Sequence, residues 1–366
     1  MQRVLILQHV LKTYRLALFE QMHRQLAEQG IELHIAFASP DAVEKTKGDN
    51  CEQPPASYYS LIKTWQWRRL TWHVMSQPGS YDLIIVEQAN RHLFNHYLML
   101  RRVFAGRPKL ALWGHGYDHQ GHKKSWRQRI KRYLMGGADW FFAYTAPVAE
   151  YARSHGMAAE AITTLNNSID TRVLAGQVYE YRRTSAKTEG LPVLLYCGAL
   201  YQHKRLDLLL QSAQKLYQRG SISKLIILGA GPLQDTLPAA DWLDYRGPCF
   251  GEDKARAYAE ASLVLNPGLT GLAILDAFAA GLPYITCDLP VHSPEIAYLE
   301  DGVNGLLLPP LIDHIVCSVA AVLADSAEMQ RLSQGALTAS RQYSLQAMST
   351  AFCNGIRQCL STQEAG

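Results

Sequence analysis

Asn266-Pro267-Gly268-Leu269-Thr270-Gly271-Leu272-Ala273-Ile274-Leu275-Asp276-Ala277-Phe278-Ala279-Ala280-Gly281-Leu282-Pro283 is the stretch whose reading decides the fold. A short apolar run ends at Asn266-Pro267, a glycine-bearing loop follows, and an apolar helix runs on until Gly281-Leu282-Pro283 stops it. Strand, tight loop and helix in this order form the repeating unit of a parallel α/β layer. The first amides of such a helix have no intrahelical acceptor, and the helix dipole adds partial positive charge there. Glycines at 268 and 271 let a bulky anion approach that backbone closely. Asp276 is the only charged residue of the helix and needs a partner. Two readings stand: a phosphate cradle with Asp276 on a ribose diol, or a plain turn whose carboxylate meets an arginine.

Two further loops are built alike. Cys197-Gly198-Ala199-Leu200-Tyr201-Gln202-His203-Lys204-Arg205-Leu206-Asp207 again runs from strand end to helix start. Cations at 204 and 205 oppose the dipole of that helix, a balance that a bound polyanion reverses because charge-assisted bonds are strong; surface solvation of both is the alternative. Gly229-Ala230-Gly231-Pro232 also ends a strand. It lacks the third glycine of a dinucleotide fingerprint and so argues against an NAD enzyme.

Outward from these loops, apolar runs alternate with helix-period segments along the chain. They predict first-half strands at residues 4–7, 33–37, 83–86, 110–113, 141–144 and 162–165. A helix between the first two carries Leu16, Phe19, Met22 and Leu26 on one face and stops at Gly30. Residues 177–189 are polar, hold Arg182, Arg183 and Lys187, and read as a linker. The pattern restarts with strands at 193–197, 225–228, 243–245, 263–265 and 284–286 and a helix at 206–216. Two comparable series predict two α/β domains, 1–176 and 190–342, facing a cleft. Leu345, Met348, Phe352, Ile356 and Cys359 then recur at helical spacing, an amphipathic helix despite Gly355 within it.

A length of 366 residues suits two domains, and 48% hydrophobic with 19% charged residues is a globular balance. A formal net charge of +4 is too small to argue for nucleic acid, and no nucleic-acid reading motif is present. Seven cysteines without a C-x-x-C pair read as buried thiols of a reducing compartment. No stretch approaches the ~20 apolar residues of a transmembrane helix, and the first apolar run is too short for a signal peptide. The expected location is the cytoplasm.

Taken together, the motifs resemble those of the retaining glycosyltransferases of family 4, which have the GT-B fold. Gly198, Leu200 and Lys204 match a glycine-x-leucine loop with its downstream lysine, and Gly229 to Pro232 match a Gly-x-Gly-Pro turn. Gly271, Leu272, Asp276, Ala277, Ala279 and Gly281 match the donor-site helix. Pro294-Glu295-Ile296, Asp301-Gly302-Val303-Asn304-Gly305 and Asn167-Ser168-Ile169-Asp170 match further elements. Trp113-Gly114-His115-Gly116 resembles the strand-end turn that touches the donor sugar, and Tyr14-Arg15 an acceptor-side pair. Three departures stand out. Gly268 occupies the place of the family's first donor-site acid, Ala199 that of its diphosphate-binding arginine, and Asp276 that of a glutamate about 1.5 Å longer.

The resemblance implies two Rossmann-like domains with a C-terminal helix, 343–366, packing back on the first. It implies a retaining glycosyltransferase that moves a sugar from a nucleotide-sugar donor to a glycan or lipid-linked glycan acceptor in cell-surface polysaccharide synthesis. No Asp-x-Asp pair occurs, so neither a metal clamp nor a cofactor is expected. His115, Lys204 and Glu295 are the expected catalytic residues. Gly198, Arg205, Thr270, Gly271, Leu272 and Asp276 are the expected donor contacts, and Tyr14 and Arg15 the acceptor contacts. The alternatives are a noncatalytic sugar-nucleotide-binding protein, motivated by Gly268, and a GT-B sugar-nucleotide epimerase. Residues 122–132 carry six cations with Trp126, and residues 63–73 carry Lys63, Arg68 and Arg69 with Trp65, Trp67 and Trp72. Such stretches suit docking on the anionic inner face of a membrane, at about 1 kcal/mol per cation; a solvated face is the simpler alternative.

Overall fold

The computed structural model describes residues 1–45, 48–68, 70–75, 77–89, 91–105, 108–116, 133, 136–184 and 190–362. The chain divides into two units, Met1–Ile169 with Leu345–Gly366, and Asp170–Ser344.

The first unit is built on strands β1 (Gln2–Val10), β2 (Ile31–Ala38), β3 (Tyr59–Trp67), β4 (Leu70–Val74), β5 (Leu83–Glu87), β6 (Lys109–Gly114), β7 (Trp140–Ala143) and β8 (Ile162–Thr164). Their order is β4-β3-β2-β1-β5-β6-β7-β8, parallel except where β4 turns back on β3. Strand periodicity sends Val4 and Ile6 into one core and Leu5 and Leu7 into the other, so β1 reads as a continuous apolar run. Helix α1 (Leu16–Ala27) buries Phe19, Met22 and Leu26 as the spacing predicts. Among the described residues this part of the chain also holds helices α2 (Ala42–Lys45), α3 (Leu93–Ala105) and α4 (Ala146–Ser154).

The second unit opens with α5 (Arg172–Thr184). Residues 177–184, read above as linker, are therefore the end of a helix, and residues 185–189 lie outside the described residues. Only Leu174 and Val178 are buried on α5, too few apolar positions for a period to show. Its Arg182 guanidinium donates to the carbonyls of Ala280 (2.7 Å) and Tyr258 (3.1 Å), groups that helix ends leave unpaired. The sheet holds β9 (Val193–Cys197), β10 (Lys224–Leu228), β11 (Leu243–Gly247), β12 (Leu263–Leu265), β13 (Tyr284–Cys287) and β14 (Gly305–Leu308). All are parallel, in the order β11-β10-β9-β12-β13-β14. Helices α6 (Leu206–Gln218), α7 (Gly251–Glu260) and α8 (Ala273–Ala279) lie between these strands in the chain, and α9 (Ile312–Ala324) and α10 (Ser326–Gln342) follow β14.

The last helix, α11 (Leu345–Ser361), buries Met348, Phe352, Ile356 and Cys359 in the core that α1 covers. Phe352 stacks on Phe142 at 4.4 Å. A Cβ on Gly355 would meet Phe142 at 2.6 Å, so this mid-helix glycine lets the helix backbone lie against β7 and β8. Among the described residues no helix is long and apolar enough to cross a membrane.

Candidate functional site

In the second unit the strand order reverses between β9 and β12. Open α/β sheets bind ligands in the crevice beyond the strand ends at such a point. The chain leaving β9 supplies residues 198–205 there, and the chain leaving β12 supplies 266–272. The two loops interlock: the Leu269 N–H donates to the His203 carbonyl at 2.8 Å, and the Lys204 ammonium donates to the Leu269 carbonyl at 2.5 Å. A Cβ on Gly268 would fall well under 3.0 Å from the Lys204 backbone. Gly268 therefore serves loop-to-loop packing, whereas a Cβ at Gly271 would meet only the Ser293 side chain, its hydroxyl at 3.6 Å. Gly229 and Gly231 press likewise on the backbones of Gly198 and Leu200, seating the third loop against the first.

Thr270 is held from three sides. Its N–H donates to His292 Nδ1 at 3.0 Å, and its hydroxyl lies within hydrogen-bond reach of Thr286 (3.2 Å) and Tyr284 (3.4 Å). Because Nδ1 accepts, the proton of His292 sits on Nε2, which donates to the Cys287 carbonyl at 2.7 Å. Burial lowers the His292 pKa and favours this neutral form. The Thr270 amide, expected to face an anion, is thus engaged by His292. Among the described residues no acceptor meets the backbone N–H groups of Gly271 and Leu272.

Lys204 is buried beside this loop, and burial pulls its pKa down to about 8. Among the described residues no carboxylate pairs with it, and Gly198 lies alongside its stem. Arg205, next in sequence, turns away into a left-handed conformation (φ 50°) and grips Asp207 with bonds of 2.8 and 2.9 Å, so its charge is already met. Asp276 on α8 is buried and ion-paired with Lys254 of α7 at 2.7 Å. Burial raises the Asp276 carboxyl while Lys254 pulls it back. Asp276 thus meets a lysine, where the plain-turn reading expected an arginine. Glu295 is buried in the turn Pro294–Tyr298, on a segment tied to the loop where the Ser293 N–H donates to the Thr270 carbonyl at 2.9 Å.

The first unit gathers its own predicted residues around Tyr144. Arg15 is buried, donates to the Tyr144 hydroxyl at 2.8 Å and lies 4.0 Å over the Trp113 ring. Although burial opposes its charge, Tyr144, Tyr14 and Glu87 hold the Arg15 pKa above the ordinary value. His115, exposed at the end of β6, packs on the same Tyr144 ring at 4.1 Å. Tyr14 is 36% exposed beside Arg15. Tyr144, His292 and Lys254 escaped the sequence reading. A buried carboxylate calls for a cation, but nothing in the spacing says that it comes from 22 residues upstream.

Residues 18–173 match the model of Glycosyltransferase Family 4, and residues 191–325 that of Glycosyl transferases group 1. The chain belongs to the family 4 glycosyltransferases. Its fold is GT-B: HepE of Anabaena, crystallised with UDP, superimposes with a TM-score of 0.68 at 14% identity, covering 98% of this chain and all of that one. The lipopolysaccharide outer core galactosyltransferase WaaB matches with a TM-score of 0.68 at 16% identity, covering 98% and 99% of the two chains. In sequence, this glycosyltransferase is 24% identical over 163 residues to the GtfA subunit of a UDP-N-acetylglucosamine–peptide N-acetylglucosaminyltransferase of Streptococcus pneumoniae. It is 27% identical over 156 residues to an exopolysaccharide phosphotransferase of Streptomyces coelicolor. The matches span 31% and 16% of those two proteins.

Proposed function

We propose that the chain transfers a sugar from a UDP-linked donor to a glycan or lipid-linked glycan acceptor in the synthesis of a cell-surface polysaccharide. The observation that carries this is Lys204, a buried ammonium without a counter-anion among the described residues, beside the acceptor-free amides of Gly271 and Leu272 at the strand-order reversal. A diphosphate supplies the missing negative charge. As the sugar bond breaks, that diphosphate gains charge, and groups already oriented toward it stabilise the transition state more than the ground state. The UDP in HepE and the UDP-N-acetylglucosamine in the name of the GtfA protein favour a UDP-sugar.

The family resemblance favours retention of configuration, with His115 and Glu295 contacting the donor sugar and Tyr14 and Arg15 on the acceptor side. Gly198, Thr270 and Leu272 shape the donor loop around Lys204. Arg205 and Asp276 serve the donor less directly, since Asp207 and Lys254 occupy them. On β3, Leu61, Lys63, Trp65 and Trp67 alternate onto one exposed face, with Trp65 and Trp67 72% and 69% exposed and Trp72 opposite Trp65. This face suits a peripheral position at the inner membrane surface, where a lipid-linked acceptor resides. The second basic stretch, 122–132, lies outside the described residues.

The test is a thermal-shift panel of UDP, GDP and ADP followed by transfer assays with the matching sugars. UDP should stabilise the chain and Lys204→Ala should abolish that shift without unfolding it. Stabilisation by none of the three overturns the donor reading. UDP binding without turnover favours the noncatalytic alternative, which Gly268 in the place of an acid motivates.

A further inference from the structure

Three histidines of the first unit converge although the sequence keeps them far apart. His9 lies near the end of β1, His73 on β4, and His92 in the turn before α3. The β3–β4 hairpin brings His73 there: the Thr71 N–H donates to the Arg91 carbonyl at 2.8 Å, and Thr71 pairs with His92 as a parallel bridge. One ring nitrogen from each histidine lies within 4.8 Å of the other two. Ring centroids are 5.7 Å apart for His9–His73, 5.0 Å for His9–His92 and 4.9 Å for His73–His92. His73 and His92 are 1% and 2% exposed. Both ring nitrogens of His73, Nε2 of His92 and Nδ1 of His9 have no hydrogen-bond partner among the described residues. Buried polar atoms are ordinarily paired, so an orphan nitrogen on each of three adjoining rings points to a ligand that takes one from each.

We propose that His9, His73 and His92 form a site for a divalent transition metal, Zn²⁺ foremost, that ties the end of the first strand to the hairpin and to the start of α3. Three imidazoles are the set zinc takes when its fourth position is left to water or another ligand. A tetrahedral ion at about 2.0–2.1 Å from each nitrogen holds its donors roughly 3.4 Å apart, so modest side-chain rotation closes the site. Desolvation keeps all three imidazoles below the ordinary value, His73 at about 4, which leaves them as free bases ready to ligate at neutral pH. Among the described residues the cation facing the cluster is Arg91, and Asp41 and Glu44 face His9 with opposite charge. The site lies in the unit without the Lys204 loop and does not depend on the transferase reading.

The purified chain, stripped with a chelator and desalted, is titrated with Zn²⁺ against a chromophoric competitor and with Co²⁺ by visible absorption. One equivalent per chain is expected, with the intense Co²⁺ bands of a four-coordinate site. His73→Gln and His92→Gln, checked for folding by circular dichroism, should each weaken Zn²⁺ binding by more than the roughly 10–100-fold that loss of an outer-shell partner costs. Wild-type binding no tighter than that of either variant overturns the proposal, as does a six-coordinate Co²⁺ spectrum. Where the variants do not fold, X-ray absorption on the Zn²⁺-loaded wild type decides. Three imidazole nitrogens at about 2.0 Å support the site, and a shell of oxygen or sulfur overturns it.

Discussion

The Cα of Gly268 faces the backbone of Lys204 so closely that a side chain there would collide with it. The residue that departs from the family's acidic donor-site pattern is therefore also the one that lets the β9 and β12 loops interlock. A side chain at 268, acidic or not, would meet the Lys204 backbone, and among the described residues no carboxylate pairs with the Lys204 ammonium.

Gly268→Ala forces the two loops apart. Overpacking of a tight contact costs about 1–3 kcal/mol, and here it also displaces the Lys204 ammonium from the Leu269 carbonyl. Urea denaturation should show the lost stability, and UDP affinity should fall with it. A variant with wild-type stability and UDP affinity would show that the loops have room to spare.

UDP binding should weaken as pH rises through about 8, where the buried Lys204 loses its proton. The sign follows from burial: the folded value lies below the ordinary 10.5, so the free chain gives up this proton before the unfolded chain does. The same shift makes the apo chain's stability rise, from this group alone, between about pH 8 and 10.5. Isothermal titration across that range should show the decline in wild type. In Lys204→Ala, binding should be weak and flat. An unchanged wild-type affinity at high pH removes Lys204 from the donor's anionic group.

How much of this was legible in the sequence depends on whether the signal is local. The strand-loop-helix units around Gly198 and Gly271 were readable because apolar runs and glycines mark them in place. Helix α5 was not, since Arg182 holds it to α7 and α8 by reaching carbonyls that leave no mark on spacing. Strands β3 and β4 were read as a basic, aromatic stretch because their solvent face carries Lys63, Trp65 and Trp67. The partners of Thr270 and Asp276 were equally hidden, because His292 and Lys254 meet them only through the fold.

His292→Ala should cost about 1–3 kcal/mol by leaving the buried Thr270 N–H unpaired. The wild-type contact should also fail in acid. The folded His292 pKa is lowered from 6.5, so its stabilisation is whole above 6.5 and is lost as pH falls toward the folded value. Denaturation curves of wild type and variant should converge on acidification. A gap that stays constant with pH would mean that His292 acts through packing alone.

Lys254→Met tests whether Asp276 is a charged partner or a neutral acid. Removing the cation strands a buried carboxylate, at about 3 kcal/mol if it stays ionised. With Lys254 gone, burial alone sets the Asp276 pKa, raised above its ordinary 3.8. A raised acid contributes stability below its unfolded value and loses it as pH rises through the folded one, so the deficit should be small near pH 5 and larger near pH 8. Asp276→Asn in the Lys254→Met background should recover most of the loss, because the double variant buries no unpaired charge. UDP affinity separates structure from recognition. If Lys254→Met lowers stability yet leaves UDP affinity unchanged, the pair props α7 against α8. If affinity falls further than the stability loss accounts for, Asp276 is in contact with the donor as well.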